Sequence, residues 1–159
     1  MDLIIRREPI ASVRPQLDAL LEAHWREVAH YQDAVALEPD WTRYEALENA
    51  GKLFFIGAHQ GWNLVGYSVF TISPHLHYRS HIVASNDVIY LAPSARQGLA
   101  GIELLRQSER ICAEAGAHRI NWHLKPEHDW NAILRRLHKG YRREETIWGR
   151  LLTEEERGL

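Results

Sequence analysis

Asn86-Asp87-Val88-Ile89-Tyr90-Leu91-Ala92-Pro93-Ser94-Ala95-Arg96-Gln97-Gly98-Leu99-Ala100-Gly101 decides how the chain is read, because a strand, a glycine-bearing turn and a helix start follow one another in it without a gap. Val88 to Leu91 is a β-branched and aromatic run that Pro93 closes, and from Ile102 the apolar residues Leu104, Leu105, Ile111, Cys112 and Ala115 continue at helical spacing. Gly98 and Gly101 allow a tight turn whose N–H groups face one point, and the helix adds unsatisfied donors and roughly half a positive charge at its N-terminus. Such a junction accepts an anion such as a pyrophosphate. On spacing alone it also reads as an ordinary tight connection in which two glycines relieve strain. A dinucleotide-binding fingerprint needs three glycines in fixed spacing, and a Walker loop needs Gly-Lys-Ser/Thr; neither is present.

Working outward, 159 residues with 45% apolar and 25% charged suit one globular domain spanning residues 1–159. A formal charge of −2 with scattered basic residues argues against nucleic-acid and anionic-membrane partners, which need clustered positive charge. The single cysteine, Cys112, excludes a disulfide framework and a Cys-rich zinc module. No apolar run approaches the roughly 20 residues that span a bilayer, and Asp2 followed by Arg6-Arg7 is no secretory signal. A cytoplasmic location is expected.

Leu3-Ile4-Ile5 reads as a first strand stopped by Pro9, and residues 13 to about 29 as an amphipathic helix carrying Val13, Leu17, Leu20, Leu21, His24, Trp25 and Val28. Asp40 can cap a second helix to about Asn49. Residues 53–59 and 64–72 read as a hairpin, and Ser73 to His81 as a loop. Its three histidines have no carboxylate or cysteine to complete a ligand set, so no metal site is expected there. A strand from about Ala84 to Leu91, a helix to about Ala115 stopped by Gly116, and a strand from Arg119 to Leu124 predict a parallel crossover. Pro126 ends that strand, Asp129 can cap a helix to His138, and Thr146 to Leu152 reads as a last strand.

The segment from Asp87 to about Trp148 resembles the core of the GNAT N-acetyltransferase superfamily, whose acyl-CoA loop is Gln/Arg-x-x-Gly-x-Gly/Ala after a strand often ending in Pro-x-x-Arg. Pro93-Ser94-Ala95-Arg96 matches that lead-in. Two registers of the loop are open: one keeps Arg96 and Gly101 but places Leu99 where the family has glycine, the other aligns Gly98 and Ala100 and loses the arginine. Tyr67, His77-Tyr78 and the Asp87 strand are similar to a branch of the superfamily common in phages and prophages. The resemblance implies an α/β (α+β) fold with a central mixed sheet, two parallel strands that splay apart, and helices on both sides. It also implies acetyl-CoA as donor and a small-molecule or protein amine as acceptor; a homodimer is compatible with it.

By the same resemblance, the amide of Leu91 or its neighbour would bind the thioester carbonyl, and those of Gln97, Gly98, Leu99, Ala100 and Gly101 the pyrophosphate, with charge from Arg96. Asn131 stands near the start of the last helix, as in many members. Asp87 stands where several members carry a basic carboxylate, and Tyr90 and His77 are the other titratable candidates for catalysis. Asp87 reads equally as a polar residue fixing the adjacent loop. The first two helices and the histidine-rich loop would form the acceptor side, with Trp25, Tyr44, His75 and Tyr78 as candidates. One departure stands out: the family's proton-donating tyrosine falls at Arg136. Two other classes compete: a non-catalytic acyl-CoA-binding module that kept the fold after losing its acid, and an unrelated nucleotide-binding α/β protein.

Overall fold

The computed structural model describes residues 3–128 and 130–158. The chain forms two compact units, Met1–Asp129 and Trp130–Leu159. In the first, β1 (Leu3–Arg7), β2 (Leu53–Gln60), β3 (Asn63–His75), β4 (Tyr78–Leu91) and β5 (Arg119–Asn121) make one sheet in that order. Neighbours are antiparallel except β4 and β5, which are parallel. This is the mixed α/β architecture expected from the sequence.

Leu53 to Ala58 is buried residue by residue, because helices cover both faces of the sheet and leave no polar side for an alternating pattern. On one face α1 (Ile10–Val28) and α2 (Trp41–Asn49) pack on Leu53, Phe55, Tyr67, Val69 and Tyr90. On the other, Phe54, Ile56, Phe70 and Ala84 meet Cys112 of α3 (Ala100–Glu114), and Leu91 and Ala58 meet Leu104. Each such aliphatic or aromatic burial is worth about 1.5–3 kcal/mol. Ser68 of β3 and Ser108 of α3 are both fully buried and satisfy each other at 2.7 Å, which fixes how α3 lies on the sheet. Asp40 accepts a 3.0 Å hydrogen bond from the Arg43 amide, the cap expected for α2.

The strand edges differ from the sequence reading in three places. Residues 73–81 are not a loop: β3 and β4 run on to a tight turn in which His75 pairs with Tyr78. β5 ends at Asn121 rather than Leu124, so β4 and β5 pair only from Val83 to Ser85 against Arg119 to Asn121. Residues 146–152 form no strand. Their β-branched and aromatic residues Thr146, Ile147 and Trp148 suit a ladder, but no strand among the described residues pairs with them, and Ile147 and Trp148 are exposed. The second unit holds α4 (Asn131–Leu137), with Leu134 buried, and α5 (Glu154–Arg157), opened by a capping box between Thr153 and Glu156. The expected cap of α4, Asp129, lies outside the described residues.

β4 is pressed against β3 where Gly66 faces Leu91. A Cβ at Gly66 would stand 2.6 Å from the Leu91 side chain and 2.7 Å from the Tyr90 carbonyl oxygen. Because that oxygen is backbone, relief requires moving β4 itself. Gly66→Ala is therefore expected to destabilise the protein by about 1–3 kcal/mol in urea unfolding, the usual cost of overpacking a core.

Candidate active site

β4 carries one residue too many for β3. Val69 faces Val88 and Phe70 faces Asn86, so Asp87 is the extra residue of a β-bulge. The bulge turns Asp87 outward on the α2 side, where it faces the Tyr44 hydroxyl; burial and then the Asp87 carboxylate push that phenol above its ordinary range. Asn86, 1% exposed, points to the α3 side and donates its amide to the carbonyls of Val69 and Val88, holding the bulge. Its Oδ1 is buried without a partner among the described residues. An orphaned acceptor of this kind costs about 1–3 kcal/mol unless something donates to it.

Beyond Ser85 no strand among the described residues pairs with the edge of β4 facing β5 as far as Leu91. The C-terminal turns of α1 are tied to both sides of the opening. On the β4 side, Arg96 donates through Nε to the Leu91 carbonyl at 2.7 Å and through a terminal nitrogen to Glu27 at 2.7 Å, with its guanidinium 5.5 Å from the Tyr90 ring. That ion pair holds the Glu27 carboxyl below its usual range. On the β5 side, the Lys125 ammonium donates to the Val28 carbonyl. Arg96 thus braces the strand end, a role the sequence did not suggest.

The turn after β4 is a short 3-10 turn, Pro93–Ala95, followed by Gly98 at a φ of 58°, a left-handed value that favours glycine. Of the amides assigned to an anion from sequence, Gln97 donates to the Ala95 carbonyl and Ala100 to that of Gln97. Gly98, Leu99 and Gly101 have no protein acceptor among the described residues, and neither has Ile102, which the sequence reading missed. Leu99 precedes α3 without a side-chain cap, so these donors are the unsatisfied first turn of a helix. A Cβ at Gly101 would meet nothing within 4 Å, leaving open space over that turn.

A third group lies on the α1 side of β3 and β4. His24, 8% exposed, accepts or donates at Nδ1 to the Tyr67 hydroxyl at 2.7 Å and stacks on Tyr90 with ring centroids 4.8 Å apart. Burial first, then the nearby Lys125 and Arg96 cations, lower His24 to about 4. Burial pushes Tyr67 far up, and Tyr90 up as well with Glu27 adding to it. Asp87, Tyr44 and Tyr90 therefore converge with His24, Tyr67 and Glu27. His24 was read only as part of an apolar helix face, and nothing in its spacing separates a core histidine from one at a site.

The remaining candidates lie elsewhere. His75, His77 and Tyr78 cluster at the tip of the β3–β4 hairpin, with His75 and Tyr78 rings 4.8 Å apart, and Tyr78 stands roughly 30 Å of strand before Asp87 at ~3.3 Å per residue. Asn131 opens α4 in the second unit. Trp25 lines a cleft of about 670 Å³ between α1 and the connection to α2, together with Asp18, Glu22, Asp33 and Trp41.

A family model supplies the decisive comparison: that of the acetyltransferase (GNAT) family matches residues 17–141. The chain belongs to that family. Solved structures share its fold at low identity. An aminoglycoside acetyltransferase from an uncultured soil metagenomic sample superposes with a TM-score of 0.73 at 15% identity, over 97% of this chain and all (100%) of that one. Glucosamine-6-phosphate N-acetyltransferase from Arabidopsis thaliana gives 0.70 at 12% over 96% and 100%. An acetyltransferase of Trypanosoma brucei gives 0.68 at 18% over 95% and 100%. No curated protein matches the chain significantly in sequence. Among the described residues no helix is long and apolar enough to cross a membrane.

The neutral, buried His24 makes a prediction for this acetyltransferase fold. With its folded value near 4 and an unfolded value near 6.5, the unfolded chain binds the extra proton between them, so stability present above about pH 6.5 is lost as pH falls toward 4. The full loss is about 3 kcal/mol. Urea unfolding from pH 7 to 4 should show a steeper decline for the wild type than for His24→Phe; parallel curves would contradict it.

Proposed function

We propose that this chain is an N-acetyltransferase that moves an acetyl group from acetyl-CoA directly to a primary amine. The observation that carries the reading is the row of amides at Gly98, Leu99, Gly101 and Ile102, without an acceptor among the described residues, beside a strand edge that no described strand pairs with from Asn86 to Leu91. The amides and helix end suit the diphosphate. The open edge suits an extended arm bearing amide groups. Acetyl-CoA supplies the activated acyl group; the chain supplies orientation, a polar surround and a path for protons.

The reaction forms a C–N bond and breaks the C–S bond; an ammonium acceptor gives up one proton before attack and a second from the adduct, the thiolate takes up one, and one proton is released to solvent. Asp87, turned toward the α2 side by the bulge and acting on the Tyr44 phenol, takes the ammonium proton directly or through a water in this reading. Carboxylates at Asp18 and Asp33 in the neighbouring cleft favour a cationic acceptor on that side. Several structural neighbours are aminoglycoside acetyltransferases, and polycationic amines belong in the first acceptor panel. With Arg136 at the family's tyrosine position, the thiolate takes its proton from solvent.

Two variants test this reading. Gly101→Val fills the open space over the amides without meeting protein atoms, so it should fold with an unchanged melting temperature yet bind acetyl-CoA more than tenfold more weakly by titration calorimetry, at least ~1.4 kcal/mol. Equal affinity would move the site away from the turn. Asp87→Asn should lower turnover of an active amine by about 10²–10⁴ while acetyl-CoA affinity holds. Turnover kept within about threefold would remove Asp87 as base.

A further inference from the structure

Tyr67 is 1% exposed, and its hydroxyl has one hydrogen-bond partner among the described residues, Nδ1 of His24. A buried O–H must donate, so the proton lies between them with Nδ1 as acceptor. The neutral ring then carries its own hydrogen at Nε2. Nε2 has no partner among the described residues, and it is not among the buried atoms left unsatisfied, so it reaches open space.

The position of that space follows from α1. His24, Glu27 and Val28 share one face of the helix at the i, i+3, i+4 spacing. Glu27 holds Arg96 on the β4 side of the opening and Val28 holds Lys125 on the β5 side. His24 lies one turn earlier on the same face, stacked on Tyr90, the residue before the last of β4. It therefore borders the opening from the α1 side, between its two ties.

We infer that His24 is a catalytic hydrogen-bond donor, its Nε2–H directed at the carbonyl oxygen of the acyl thioester and its tautomer fixed by Tyr67. This deepens the acetyltransferase reading and rests on it. A neutral imidazole serves as an electrophile because its proton stays on nitrogen while charge grows on the oxygen. Burial lowers His24 to about 4, so the ring donates as a neutral imidazole at physiological pH. No proton is consumed at this residue; the balance between amine and thiolate is unchanged.

The test uses the full chain and acetyl-CoA labelled with ¹³C at the thioester carbonyl. In the free protein, ¹⁵N spectra of the histidine rings should show His24 protonated at Nε2 and unprotonated at Nδ1 from pH 8 to 5.5; the opposite tautomer would overturn the inference. On binding, the infrared stretch of the labelled carbonyl should move to lower frequency than in water. His24→Phe, which keeps an aromatic stack, should abolish that shift with acetyl-CoA affinity changed less than threefold, and lower turnover of an active amine about 10²–10³-fold. His24→Asn, which keeps an N–H donor, should retain part of the shift and also serves if the phenylalanine variant does not fold. Tyr67→Phe should leave binding intact and reduce the shift by releasing the tautomer. A bound carbonyl whose frequency is the same in wild type and variants removes His24 alone. Failure of the wild type to bind acetyl-CoA at all removes the acetyltransferase reading and this inference with it.

Discussion

A strand edge that goes unpaired inside a sheet exposes N–H and C=O groups that must be satisfied by something, and an edge of this kind governs the arrangement around β4. β5 pairs with β4 over three register positions and then leaves it. The separation is structural rather than slack: the bulge at Asp87 twists the strand, Asn86 pins the bulge carbonyls, and α1 is tied by Glu27 to Arg96 and by Val28 to Lys125 across the two sides. Asn86 Oδ1, buried without a partner among the described residues, is a cost of holding the bulge in this shape.

The two faces of the sheet divide the work. The α3 side carries the turn amides, anchored through the Ser68–Ser108 pair and the packing of Leu104 on Leu91, so the helix end stays in register with the strand end. The α1 and α2 side carries the titratable groups: Asp87 with Tyr44, and His24 between Tyr67 and Tyr90. Low-dielectric burial raises the phenols and lowers the imidazole, so these groups stay neutral near pH 7, while Asp87 is exposed on the bulge.

Much of this was legible in the sequence. The strand-turn-helix at residues 86–101 has local signatures, apolar run, proline, glycines and helical periodicity, and each held because local chemistry sets it. Asp87, Tyr90 and Tyr44 were named from resemblance and do come together. What stayed hidden depends on pairing across long sequence separations. The spacing of His24 is that of an ordinary helix face, and its meaning appears only when Tyr67, 43 positions later, reaches its ring. His75, His77 and Tyr78 looked like a loop over the site because strand propensity is weak in a stretch with proline and histidine; cross-strand pairing with β4 overrides it and carries them to a hairpin tip. The ladder suggested for residues 146–152 is absent because a strand exists only with a partner edge, which periodicity cannot supply.

The central claim is that the turn amides and the open edge of β4 form one acetyl-CoA site. Hydrogen exchange of the backbone amides, read by NMR with and without acetyl-CoA, tests it most directly. Strong added protection is expected at Gly98, Leu99, Gly101 and Ile102, which have no acceptor among the described residues, and little change at Gln97 and Ala100, already bonded within the turn. Saturating acetyl-CoA that leaves those four amides exchanging as in the free protein would contradict it.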